Sequence, residues 1–166
     1  MDTKEKILFG YSCTPSCGIE EEDYGGFSFE IDYYGNIVYK TYLFDLIEKT
    51  KQTYLLSQET TDKIVQILNN NASIIEKLDN NLNNNSCDGN CNKFIFSDKV
   101  ITAWNIVDMN ILFLMITNPK YCKEYFNNIK QEKNIIKLFN SITKVLSSEH
   151  ITLTLHNVVI NLIKNK

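Results

Sequence analysis

The stretch Phe27-Ser28-Phe29-Glu30-Ile31-Asp32-Tyr33-Tyr34-Gly35-Asn36-Ile37-Val38-Tyr39-Lys40-Thr41-Tyr42-Leu43-Phe44 decides the fold. Phe27, Phe29, Ile31 and Tyr33 alternate with Ser28, Glu30 and Asp32, the period-two pattern of a half-buried strand over Phe27 to Tyr33. Gly35-Asn36 supplies residues that tolerate positive φ, and Ile37 to Phe44 resumes with β-branched and aromatic residues. The two segments read as a hairpin. On its second strand the sets Ile37, Tyr39, Thr41, Leu43 and Val38, Lys40, Tyr42, Phe44 are both rich in apolar groups. One face is therefore core, and the other is covered by the C-terminal helices or by a partner. Tyrosine is amphipathic and loses little entropy on ordering, which makes Tyr39 and Tyr42 the candidate partner-contact residues.

Outward from the hairpin, Ile7 to Ser12 has the propensity of a further strand. Ser57 precedes the acidic opening turn Gln58-Glu59-Thr60-Thr61-Asp62, so a helix begins there with Ser57 as its cap. Ile64, Leu68, Asn71, Ile75, Leu78 and Leu82 follow at intervals of four and three, giving a face that packs on the sheet. An Asn-rich stretch from Asp79 to Asn92 divides the chain into two halves. Beyond it, Phe94 to Phe96 and Val100 to Trp104 flank the turn-like Ser97-Asp98-Lys99 and suggest a second hairpin. The alternative is a helix from Val100 through the apolar block Met109 to Ile116. Asn118-Pro119 interrupts that block and opens a new helix, which Ile135, Leu138, Phe139, Ile142, Val145 and Leu146 continue at helical spacing. Over Ser148 to Leu155 strand and helix patterns compete, and the reading favours a helix at the extreme C-terminus. The fold class expected is α+β: one domain over residues 1–166, with a small antiparallel sheet packed against several helices and a mainly helical C-terminal half.

A chain of 166 residues with 43% apolar and 22% charged residues has the composition of a globular protein. The N-terminus has neither the apolar length nor the cleavage site of a secretory leader, and the longest apolar run, Ile111 to Ile116, is far short of a membrane span. Cytoplasmic location without a membrane anchor is the expectation. Net charge is −3 and all 17 basic residues are lysines interspersed with acids. Without a guanidinium fork or a basic stripe, nucleic-acid binding is not expected.

Five cysteines carry the strongest chemical lead. Ser12-Cys13-Thr14-Pro15-Ser16-Cys17 and Ser86-Cys87-Asp88-Gly89-Asn90-Cys91 both read Ser-Cys-x-x-x-Cys with turn formers inside. Cys13, Cys17, Cys87 and Cys91 would supply a tetrahedral zinc site if the fold joined the two loops. Separate reduced thiols and disulfide or redox pairing are the competing readings. The odd residue, Cys122, lies on an expected helix and reads as packing.

The remaining features are weaker. His150 and His156 are six apart, which gives no compact metal pair on a helix or a strand. The run Glu20-Glu21-Glu22-Asp23 reads as a solvated loop. From Asp79 the spacing is like a calcium loop, but Asn84 occupies the glycine position and Asn90 the glutamate position, which excludes an EF-hand. No phosphate-cradling glycine loop, Gly-x-Ser-x-Gly elbow or His-Glu-x-x-His helix is present. The sequence therefore favours a protein-binding or regulatory domain of the inhibitor or immunity kind, with no cofactor. The alternative is a zinc- or redox-dependent protein, or an enzyme, built on the two cysteine turns.

Overall fold

The computed structural model describes residues 6–15, 25–43, 46–82, 90–104, 122–155 and 158–160, with the backbone alone over 122–127. The hairpin forms as expected, with β2 (Gly26–Asp32) antiparallel to β3 (Asn36–Tyr42). Asp32 organises its turn. Oδ1 accepts from the backbone N–H groups of Tyr34 and Asn36, both at 2.8 Å, and Oδ2 accepts from Asn36 Nδ2 at 2.7 Å. Gly35 takes φ +82°, and a Cβ there would meet Thr61 Oγ1 at 2.6 Å, so the turn and the following helix jointly require glycine.

The expected strand at the N-terminus is central. β1 (Ile7–Thr14) pairs antiparallel with β2 on one side and with β6 (Cys91–Phe96) on the other. β6 turns at Ser97-Asp98 into β7 (Lys99–Trp104), so the hairpin reading of this segment holds and the helix alternative at Val100 does not. Two further strands complete the sheet: β4 (Glu48–Leu55) beside β3, and the two-residue β5 (Asn81–Leu82), parallel to β7. The order is β4-β3-β2-β1-β6-β7-β5.

Ser57 caps α1 (Gln58–Asn70) as its position implied, accepting from Thr60 N at 3.3 Å. The apolar face anticipated from Ile64 to Leu82 is buried, though not on one helix. The chain breaks at Asn71, continues as the short α2 (Ala72–Glu76), and delivers Leu82 from β5. A long α3 (Cys122–Leu146) packs beside α1. It is joined to the turn after α2 by a reciprocal pair: Asp79 N donates to Gln131 Oε1 at 2.7 Å, and Gln131 Nε2 donates to Asp79 Oδ2 at 2.6 Å.

Two expectations are overturned. The sheet is not small and purely antiparallel: it is a seven-stranded mixed sheet, joined by a separate pair β8 (Ile151–Leu153) and β9 (Val158–Ile160). Nor is the C-terminal half mainly helical, since β6, β7, β8 and β9 all lie in it. The favoured C-terminal helix is likewise replaced over the described residues by β8 and β9; residues 161–166 lie outside them. His150 explains the switch. Its left-handed φ of 60° ends the 3-10 turn Ser147–Glu149 and reverses the chain, after which Ile151 and Leu153 alternate into the core.

The core lies between one sheet face and the helices. Phe139 of α3 seats its ring 5.0 Å from Tyr11, 5.8 Å from Phe94 and 6.3 Å from Phe9, the first two edge-on. At the opposite end, Glu149 Oε1 accepts from the hydroxyls of Ser57 and Thr60, which hold its carboxyl below the usual carboxylate range. Phe139→Ala is expected to cost roughly 3–5 kcal/mol, because it removes the ring that joins three strand residues and leaves a cavity behind it. Urea denaturation of the two proteins measures the difference.

Candidate functional site

The strand register places Cys13 and Cys91, one residue from each cysteine segment, on neighbouring strands. β1 ends at Thr14, β6 begins at Cys91, and in the antiparallel ladder Thr14 stands opposite Cys91 while Cys13 stands opposite Asn92. Cys13 and Cys91 therefore lie at the same end of two adjacent strands. Cys17 and Cys87 lie outside the described residues.

Cys13 and Cys91 are free thiols with different surroundings. Directly opposed residues share a face, so Cys13 belongs with Tyr11 and Asn92 on the helix side, and Cys91 with Thr14 on the other. Cys13 is only 4% exposed. Burial pushes its thiol above the usual range; a hydrogen bond with Tyr11 works against that, and the neighbouring Cys91 adds to it. Burial also raises the Cys91 thiol, with Lys93 opposing. Both thiols are accordingly protonated at neutral pH.

Sequence reasoning missed the polar group behind Cys13. The buried Tyr11 hydroxyl lies 2.8 Å from Asn92 Oδ1 and also reaches the carbonyl of Leu155, while Asn92 Nδ2 donates to the Asn90 carbonyl at 3.2 Å. Asn92 is completely buried. An asparagine at the end of an Asn-rich stretch carries no signal that singles it out. Only the register opposite Cys13 does so. The cluster fixes the sheet end, because each buried polar atom keeps a partner.

Other candidates are dispersed. Among the described residues no group of three or more His, Cys, Asp or Glu side chains is placed to hold a metal ion. His150 is exposed at its turn, and His156 and the acidic run Glu20 to Asp23 lie outside the described residues, as does the side chain of Cys122. A shallow groove of about 450 Å³ on α3 is lined by Lys133, Ile136, Lys137, Asn140, Ser141 and Lys144; no acid is among them, and the Ser141 hydroxyl donates to the Lys137 carbonyl. No helix among the described residues is long and apolar enough to cross a membrane.

The two candidate contact tyrosines fall on opposite faces of β3. Tyr39 points to the helix side, is packed against the core with its ring 6.2 Å from Phe27, and has its hydroxyl pKa raised by burial. Tyr42 lies half-buried on the other face, its hydroxyl 3.0 Å from Ser28 Oγ. Beyond them the sheet opens to solvent. Along β4 every residue is exposed except the half-buried Tyr54, and Leu55 is 72% exposed. Tyr34, Leu46 and Ile47, in the adjoining turns, are also exposed.

No model of a known protein family matches this chain, and no curated protein matches it.

The thiol environments predict a rate order. At neutral pH iodoacetamide should modify the half-buried Cys91 ahead of Cys13, both more slowly than a free model thiol, with Cys91 accelerating as pH rises through and beyond the ordinary thiol range. Peptide mapping of timed, alkylated samples measures this, and rapid modification of Cys13 in the folded protein would contradict the assignment.

Proposed function

We propose that the chain is a binding domain that contacts a protein partner through the β3–β4 hairpin. One observation carries this reading: β4, at the edge of the sheet, is open to solvent apart from the half-buried Tyr54, and Tyr34, Leu46, Ile47 and Leu55 are exposed with it. Exposed apolar groups along an open sheet edge mark interaction surfaces more often than catalytic ones, which are concave and bring polar groups together. An inhibitor, immunity or regulatory role fits a domain of this kind. Tyr42, with Val38 and Lys40 beside it on the same strand, is the half-buried anchor at the margin of that surface.

The test pairs stability with association. Tyr42→Ala removes one hydroxyl contact and part of a half-buried ring, so a small loss of melting temperature is expected. Association with a co-purified, identified partner should weaken about fivefold or more, on the order of 1 kcal/mol. A melting temperature that collapses, with association of the folded fraction unchanged, would count against the reading.

A second reading, a zinc site formed by Cys13, Cys17, Cys87 and Cys91, draws on the neighbouring strand positions of Cys13 and Cys91, although these two fall on opposite faces of the sheet and would have to turn toward one another at its end. Zinc would have to displace protons from thiols whose pKa values burial raises, so binding would be strongly pH-dependent and weaker in acid. Freshly purified protein is expected to carry about one zinc per chain on this reading. Substoichiometric zinc together with five titratable thiols under native conditions would end it.

A further inference from the structure

We propose that β4 is a docking strand, which takes up an extended, acidic segment of a partner protein as an added antiparallel strand. The inference rests on the protein-binding reading and gives that reading a site and a ligand chemistry.

Leu56 N donates to the Gly35 carbonyl at 2.9 Å, and the β3–β4 register continues from there as Asn36 with Leu55, Ile37 with Tyr54, and so on to Thr41 with Thr50. In an antiparallel ladder, hydrogen-bonded and non-hydrogen-bonded pairs alternate. Ile37 with Tyr54, Tyr39 with Gln52 and Thr41 with Thr50 are therefore the bonded pairs. The N–H and C=O groups of Lys51, Thr53 and Leu55 consequently point away from β3. β4 is the outermost strand of the sheet, so among the described residues no strand receives them. Such a row of donors and acceptors matches another extended backbone, and strand addition is a recurrent mode of peptide recognition.

The side chains state what kind of segment fits. Lys51, Thr53 and Leu55 share the face away from the helices, with Lys51 directly opposite Lys40. Lys40 is already paired with Glu48 at 2.6 Å; among the described residues no ion pair involves Lys51. Lys49, also exposed, adds a second positive charge beside it. An acidic residue opposite Lys51 would relieve the like-charge pair, whereas a second copy of the chain would bring two lysine-bearing strands together. Toward Leu55, which is 72% exposed, and Tyr54, which packs against the core, the incoming strand would meet apolar groups. The favoured segment thus runs antiparallel to β4, apolar toward its N-terminal end and acidic toward its C-terminal end.

Proline separates this arrangement from a merely structural edge. At Thr53 the N–H faces outward, so Thr53→Pro removes a docking donor and places the ring in the partner's path without breaking the β3–β4 ladder. The probe is a display library of random linear nine-residue peptides, selected on the full-length protein, and the chosen peptides are synthesised. They should carry the apolar-to-acidic order, bind Thr53→Pro at least tenfold more weakly than the parent, and exchange acidic for basic residues when selection is repeated on Lys51→Glu. They should also slow amide hydrogen exchange at Lys51, Thr53 and Leu55. Equal binding to parent and Thr53→Pro, with the melting temperature preserved, would overturn the docking strand. If those peptides instead protected amides around Tyr42, the binding reading would survive without it. Selection that yields no binder, or sedimentation showing self-association that Thr53→Pro abolishes, would also overturn the proposal.

Discussion

The ring of Phe139 against Tyr11, Phe94 and Phe9 is the contact on which the rest of the structure depends. Strands β1 and β6 are separated by most of the first half of the chain, so their pairing incurs the loop-closure entropy of a long-range contact. Hydrogen bonds alone offset little of that, because each replaces a bond to water. A large apolar ring that touches both strands stabilises the pair through burial, and it also aligns α3 across the sheet. Tyr11 serves both needs at once. Its ring packs on Phe139, Phe27 and Phe94, while its hydroxyl finds Asn92 and the carbonyl of Leu155.

The position of that contact governs where the sheet is covered. The rings centre on β1 and β6, and burial falls off toward β4: Phe29 and Ile31 of β2 are fully buried, Tyr39 of β3 is packed only at the margin, and β4 is open. The same geometry sets the two candidate sites apart. The cysteine segments emerge where the central strands end, beside a buried polar cluster, and the exposed strand lies at the lateral edge. A change at one therefore need not propagate to the other. Effects at positions without shared partners are close to additive.

Local features were legible in the sequence. The β2–β3 hairpin, the Ser57 cap and the β6–β7 hairpin each depend on residues a few positions apart, and each formed where alternation and turn chemistry placed it. What escaped was non-local. Glu48 to Leu55 has no apolar alternation because only Tyr54 among its residues packs against the core, and only Thr50, Thr53 and Tyr54 have strand propensity. The alternation of Ile151, Thr152 and Leu153 was visible, but the helix-like continuation competed with it until the left-handed His150 broke the chain direction. For the cysteines, the spacing was visible and the placement of Cys13 and Cys91 on adjacent strands was not. That depends on β1 choosing β6 as its neighbour, a choice made by Phe9, Tyr11, Phe94 and Phe96 rather than by the cysteines.

An open edge strand invites uncontrolled pairing, and the composition of β4 answers that hazard. Lys49 and Lys51 sit on it, and lysines on edges oppose the approach of identical strands. Lys51 stands directly opposite Lys40, an arrangement that weakens the ladder locally. Glu48 neutralises Lys40 at 2.6 Å, which leaves the charge of Lys51 directed outward. An edge designed only to stay unpaired would be short, bulged along its length or interrupted by proline. β4 instead keeps Thr50 to Leu55 in regular register with Asn36 to Thr41, its irregularity confined to the Thr41–Tyr42 end. On the proposed docking, the regular backbone of β4 and the charge of Lys51, in no ion pair among the described residues, would together separate partners by sign: like-charged strands would be repelled, and an acidic one would gain both the ladder hydrogen bonds and the ion pair.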